Sequence, residues 1–263
     1  MKLNHLVSSG LLAITLAVTA QAQVVTAGLG DMILGFKKTG ATNNLEVNLG
    51  NISNFQSGGT YATGSEYFLT QLSAADLTAQ FTTWTGLSTV TFGVAGTNGA
   101  GGGFTIWASD KNLATALTPG ASQGTASNAI ASVYNGLNNA TATANSASAA
   151  AILASGPNSW STKSATGNNF GGSFLGNLAS NTSALTGTGG STFVQLDLYQ
   201  LVNAGAAQTT SDRLGSFKLY DDGTFSFTSF TAIPEPSTYA AILGIVTLGV
   251  VAIRRRRQAT IEV

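Results

Sequence analysis

Alternation with a period of two limits this chain more than any other pattern. In Asn44-Leu45-Glu46-Val47-Asn48-Leu49 the apolar Leu45, Val47 and Leu49 point one way and the polar residues the other. That is the signature of a strand with one buried face. Val90, Phe92 and Val94 repeat it, as do Phe104, Ile106 and Ala108, and then Val194, Leu196 and Leu198. Phe217 and Leu219, followed by Phe225 and Phe227, flank Asp221-Asp222-Gly223. Asp-Gly supplies the positive φ angles of a tight hairpin turn. Asp31 to Lys38 reads as a further strand.

Helices interrupt the strands. Ser73 with Asp76 three residues later fits a capping box that opens a helix to about Thr82. Ser127 to Leu137 and Ala142 to Ser155 are alanine-rich and predicted helical. Many short strands with Gly/Asn turns favour a β-sandwich with a few short helices over a barrel. From Asn112 to Leu196 the only charged residue is Lys163, and Ala, Ser, Thr, Gly and Asn fill most of the rest. This stretch, about 112–190, is predicted to be a low-complexity insertion between strands of one sheet assembly. Gly96 to Gly103 resembles a phosphate loop only in composition: a strand follows it, not a helix whose N-terminus could hold an anion.

Charge and residue type exclude several functions. Between residue 23 and Arg254 six basic residues stand against ten acidic ones, a net charge of −4. Such a surface has no basic patch for phosphates, so no nucleic-acid partner is expected. Cysteine is absent and the one histidine, His5, lies near the N-terminus. Thiolate and imidazole metal sites and Ser-His-Asp or Cys-His nucleophiles are thereby excluded from the body. No catalytic residue, metal or cofactor is assigned. Glu46, Glu66, Asp76, Asp110 and Asp197 are scattered, with no spacing that forces two together. A secreted carboxylate-dependent hydrolase remains a lesser alternative. Aromatic side chains are the other candidates. Phe104 and Ile106 take the inward parity of their strand, which leaves Trp107 on the opposite face as a sugar-stacking contact. The competing reading is that this second face is covered too.

Both ends carry export signals. Lys2, the apolar Leu11 to Thr19, and Ala20-Gln21-Ala22 read as a signal peptide (1–22) cleaved before Gln23. At the other end, Ser237 to Ile253 runs for 17 residues without a charge and stops at Arg254-Arg255-Arg256-Arg257. As a helix it would extend roughly 26 Å, near the lower limit for crossing a hydrocarbon core of about 30 Å. A buried core helix is the alternative, but four stacked arginines suit a stop-transfer signal that stays cytoplasmic. Pro234-Glu235-Pro236 precedes the span. Its two prolines block helix and ladder alike and leave an extended tripeptide that a processing enzyme can grip.

The order Pro-Glu-Pro-Ser-Thr, apolar span, arginine cluster resembles the PEP-CTERM sorting domain of Gram-negative bacteria. The resemblance covers Ile233 to Arg257, and the run Gly30 to Phe36 also looks like other PEP-CTERM proteins. It implies recognition of Pro234, Glu235 and Pro236 by an exosortase, a membrane transpeptidase-like enzyme. It further implies transient anchoring in the cytoplasmic membrane, then release or transfer to the cell surface. The expected organisation is a signal peptide (1–22), an exported β-rich domain (23–231), a sorting and anchor segment (232–257) and a cytoplasmic tail (258–263). The expected role is a non-enzymatic surface or matrix protein in an exopolysaccharide layer, with polysaccharide binding through exposed aromatics as the alternative.

Overall fold

The alternating segments form strands in a computed structural model that describes residues 25–82, 84, 89–99, 104–110, 123–139, 149–164, 176–177, 193–202, 212–230 and 244–249. The strands are β1 (Asp31–Lys38), β2 (Asn43–Asn51), β3 (Glu66–Leu69), β4 (Val90–Thr97) and β5 (Thr105–Asp110). Then follow β6 (Ala150–Ala154), β7 (Gly176–Asn177), β8 (Phe193–Val202), β9 (Asp212–Tyr220) and β10 (Phe225–Ser229). Three α-helices accompany them: α1 (Ala74–Phe81), α2 (Gln123–Asn138) and α3 (Trp160–Lys163).

All ten strands belong to one sheet in the order β3-β10-β9-β8-β5-β4-β1-β2-β6, with β7 beside the start of β4. Every pairing described is antiparallel. The mainly β expectation holds; the sandwich does not. A sandwich needs a break between two sheets. Here β5 pairs with β8 along its whole length, from Thr105 opposite Val202 to Asp110 opposite Asp197. That seam joins what would have been two layers, and the sheet instead curls around its own core.

The inner face collects most of the alternating stripes seen in the sequence; the exception is Phe104, Ile106 and Ala108, expected inward, which face the outer cluster while Trp107 turns inward. Met32, Leu34 and Phe36, Leu45, Val47 and Leu49, and Phe217, Leu219, Phe225 and Phe227 share one buried cluster, although they come from opposite ends of the strand order. Phe55, following a short 3-10 turn (Ile52–Asn54), meets Phe217 and Phe227 edge-on at 5.7 and 5.1 Å. Helix α1 plugs the curl. Its first residue, Ala74, abuts Gly223 in the β9–β10 turn, while its last, Phe81, lies 6.4 Å from Phe36 on β1. The capping box forms as expected: the Ser73 side chain accepts from Asp76 N–H, and Asp76 accepts from Ser73 N–H at 3.0 Å.

The β9–β10 hairpin departs in detail from the expected turn. Of Asp221, Asp222 and Gly223, only Gly223 has positive φ, at 86°. The connection is a three-residue loop closed by Tyr220 N–H to Thr224 O at 2.9 Å and Gly223 N–H to Tyr220 O at 3.1 Å. This is the pattern of a type I turn finished by a left-handed glycine, so a single positive φ suffices.

A second core lies on the outer face. Ile33, Ala95, Ile106, Ala108 and Leu201 are covered there by Ala126, Ala129, Ile130, Val133 and Leu137 of α2. Small alanines let that helix approach closely. Of the helix expected over Ala142 to Ser155, residues 142–148 lie outside the described residues, and the remainder is corrected: residues 150–154 are strand β6, paired with β2 from Asn43–Ala154 to Val47–Ala150. Ile152 packs toward the inner core and Leu153 toward the outer one. Only strand parity sends adjacent side chains to opposite faces, so tertiary pairing overrides alanine's helical preference.

Candidate functional site

Trp107 is not available as a sugar contact. Its side chain points into the inner core, is 4% exposed, and donates its indole N–H to Gln200 Oε1 at 3.1 Å. Phe104 and Ile106 do lie on the face opposite to it, but α2 covers that face while the curled sheet encloses Trp107. The expected contact fails because both faces of β5 are sealed. Trp84 and Trp160 are buried as well.

The perturbed titratable groups divide by setting. Glu46 on β2 is fully buried and faces Gly35 across the β1–β2 pair. Its Oε1 accepts from Trp160 N–H at 2.6 Å and Asn44 Nδ2 at 2.7 Å, and Oε2 has no hydrogen-bond partner among the described residues. Burial pushes its carboxyl up to about 7 against the pull of those two donors. Lys37 donates to Ser164 O at 2.7 Å, and burial lowers its ammonium. A carboxyl at the start of α3 and an ammonium past its end complement the helix dipole. With no opening to solvent at Glu46, this is a structural clamp.

The structure brings together two carboxylates that the sequence could not pair. Asp110 and Asp197 stand opposite each other across β5 and β8, both buried. Arg213 forms an ion pair with Asp197, and its guanidinium also lies 3.9 Å over the Phe230 ring. The Tyr199 hydroxyl beside them is pushed up by burial first and by the Asp197 charge second. Arg213 and Phe230 also border a cavity of about 460 Å³ with Phe55 and Leu214. Strand pairing across some 90 residues made this cluster, and no local spacing signals it.

A partly accessible arrangement lies on the outer face at the β3 end of the sheet, with Phe68 exposed, Phe193, Gln195, Lys218 and Tyr220 half-buried, and Ser226 buried among them. Helices α2 and α3 pack against β1, β2, β4 and β5, away from β3, β10 and β9. There, register lines up Phe68, Ser226, Lys218 and Gln195 on four neighbouring strands, with Tyr220 opposite Phe193 in the next row. The Phe68 and Tyr220 rings are 6.4 Å apart, tilted by 42°, and those of Tyr220 and Phe193 are 5.5 Å apart, tilted by 59°. Beneath them Glu66 Oε1 accepts from Tyr220 Oη at 2.6 Å and Ser226 Oγ at 2.7 Å, and pairs with Lys218 Nζ at 3.3 Å. Burial would raise the Glu66 carboxyl, but these hydrogen bonds and the Lys218 charge outweigh it and hold it low. The Tyr220 hydroxyl is pushed up to about 12 by burial and by Glu66. Sequence reasoning missed this row. Its signal was present in aromatics of the opposite parity to their strand's inner stripe: Phe193 and Tyr220 alternate with the stripes Val194–Leu198 and Phe217–Leu219.

Among the described residues no group of three or more His, Cys, Asp or Glu side chains is placed to hold a metal ion. Ala20, Ala22 and Gln23 at the expected signal cleavage site, the motif Pro234, Glu235 and Pro236, and Arg254, Arg255, Arg256 and Arg257 lie outside the described residues. Within the apolar segment, residues 244–249 are helical. No helix among the described residues is long and apolar enough to cross a membrane.

Comparison with known proteins identifies the tail. The family model of the PEP-CTERM protein-sorting motif matches residues 232–257. No curated protein and no solved structure matches the chain.

Proposed function

We propose, from the PEP-CTERM protein-sorting motif at residues 232–257, that this chain is a non-enzymatic exported protein of the bacterial surface or extracellular matrix. The motif is the observation that carries the reading: it marks an exported protein and implies an exosortase-type processing enzyme as partner. In this reading the signal peptide ends at Ala22 and the β-rich body runs from Gln23 to Thr231. The segment from Ser237 anchors the body in the cytoplasmic membrane until the enzyme acts near Pro234-Glu235-Pro236. Arg254 to Arg257 hold the cytoplasmic side. The mature body then joins an exopolysaccharide or biofilm layer. Burial of both Asp110 and Asp197 supports a non-catalytic body, since a hydrolytic carboxylate pair must reach substrate and water.

The test is the intact mass of the protein from washed surface or medium against that from the membrane fraction. A surface form that begins at Gln23 and ends near Pro236 is expected. A form still carrying Arg254 to Arg257, found in membranes alone, would refute the sorting step.

A second reading, polysaccharide binding, is favoured by the partly accessible aromatic row on β3, β9 and β8. Phe68 is 54% exposed there, unlike any of the three tryptophans.

A further inference from the structure

We infer that the outer face of β3, β10, β9 and the first half of β8 binds single, soluble chains of neutral polysaccharide. This rests on the polysaccharide-binding reading above and assigns it a site and a ligand class.

Four features select that ligand. The first is the row of rings. Phe68, Tyr220 and Phe193 succeed one another at 6.4 and 5.5 Å, steps of about one sugar ring each. Aromatic rings offer flat apolar area to the C–H faces of a sugar while its hydroxyls stay wet. The second is the tilt between successive rings, 42° and 59°. A flat crystalline surface needs coplanar rings. A twisted row suits one free chain that can turn with it.

The third feature is charge. Glu66 and Lys218 neutralise each other at 3.3 Å, and Lys218 also lies 4.7 Å over the Phe193 ring. Within the row these two charges cancel, and the one further charge that acts on Tyr220 from the adjoining turn, besides Glu66, is the Asp222 carboxylate. Among the described residues the face thus offers no net positive charge to an anionic polymer, and its complement is a neutral one. The fourth is hydrogen-bonding capacity left over at the rim. Tyr220, Ser226 and Lys218 all converge on Glu66 Oε1, which leaves Oε2 as an acceptor. An ammonium carries three donors, of which the Glu66 contact uses one. Gln195 gives its Nε2 to Asp197 Oδ1 at 3.3 Å, and its own Oε1 has no hydrogen-bond partner among the described residues. Donors and acceptors set between rings fit a polyhydroxylated chain. A protein partner of ordinary size would instead need a broader continuous apolar patch.

The experiment uses the full-length protein in mild detergent and native affinity gels. The cast polymers are hydroxyethylcellulose (neutral, β-linked, soluble) and alginate (anionic), and a pull-down uses microcrystalline cellulose. Retardation by hydroxyethylcellulose is expected, with little by alginate and no pull-down on the crystalline solid. Phe68→Ala is expected to weaken retardation about tenfold, as for the loss of one stacked ring. Phe230→Ala, a comparably exposed ring outside the row, is expected to leave it unchanged. Because Phe68 is exposed, its variant should melt like the parent, so weakened binding cannot be put down to unfolding. Retardation that survives both Phe68→Ala and Phe193→Ala would overturn this site and leave the polysaccharide reading standing. Retardation by no polymer would overturn both. Binding to alginate alone, or to the crystalline solid, would overturn the neutral single-chain assignment.

Discussion

Glu46→Gln removes the titration of a carboxyl sealed between β1, β2 and α3, and the structure sets its sign and size. The folded pKa, raised by burial from 4.5 to about 7, lies above the unfolded one. The folded state therefore holds the proton more tightly. Stability from this group is fully present below pH 4.5 and is lost as pH rises through about 7. The difference in pKa corresponds to about 3 kcal/mol. Glutamine stays neutral throughout and can accept from Trp160 N–H and Asn44 Nδ2 as Glu46 Oε1 does. Its amide nitrogen would take the place of Oε2, where no partner waits, at a cost of about 1 kcal/mol. The variant should thus be about 2 kcal/mol more stable than the parent at pH 8 and about 1 kcal/mol less stable at pH 4, with crossing curves. For a body of this size that is roughly 4–8 °C in Tm at pH 8. The assay is thermal unfolding by circular dichroism of both proteins at half-unit steps from pH 4 to pH 8. The chain's one histidine is His5, outside the described body, so no imidazole there blurs this window. Parallel curves, or a variant less stable at every pH, would refute the reasoning.

Two further substitutions probe the same architecture. Gly35 lies directly beneath the Trp160 ring, so the Cβ of Gly35→Ala would fall inside it. The change should cost about 2 kcal/mol or more by overpacking, seen as a lower Tm with a red shift of tryptophan emission as α3 lifts. Ser73→Ala deletes the N-cap of α1 and should cost about 1 kcal/mol in urea unfolding without altering the emission of the folded state.

The candidate site was legible only in part. The sorting motif is linear, and the order of its residues alone is enough to match it. It needed no fold, and the family-model match at residues 232–257 bears out the resemblance read from the residues. The body's site is different in kind. Trp107, Phe68, Tyr220 and Phe193 are all aromatic residues on strands, and composition ranks the tryptophan first. Burial reverses the ranking: Trp107 is 4% exposed and Phe68 54%. Coverage of a strand's second face depends on which helix packs there, and that is set far away along the chain.

Strand identity was local. β1 follows the expected Asp31–Lys38, and the inner stripes of β2, β4, β8, β9 and β10 follow from parity alone, because alternate side chains must leave opposite faces. The capping box was local too, since its donors and acceptors lie three residues apart. The β5–β8 seam, the recruitment of Ala150–Ala154 to the edge of β2, and the meeting of Asp110 with Asp197 were not. Each depends on pairing between segments about a hundred residues apart. That pairing is chosen by the core it encloses as a whole, and a short window of sequence contains no measure of it.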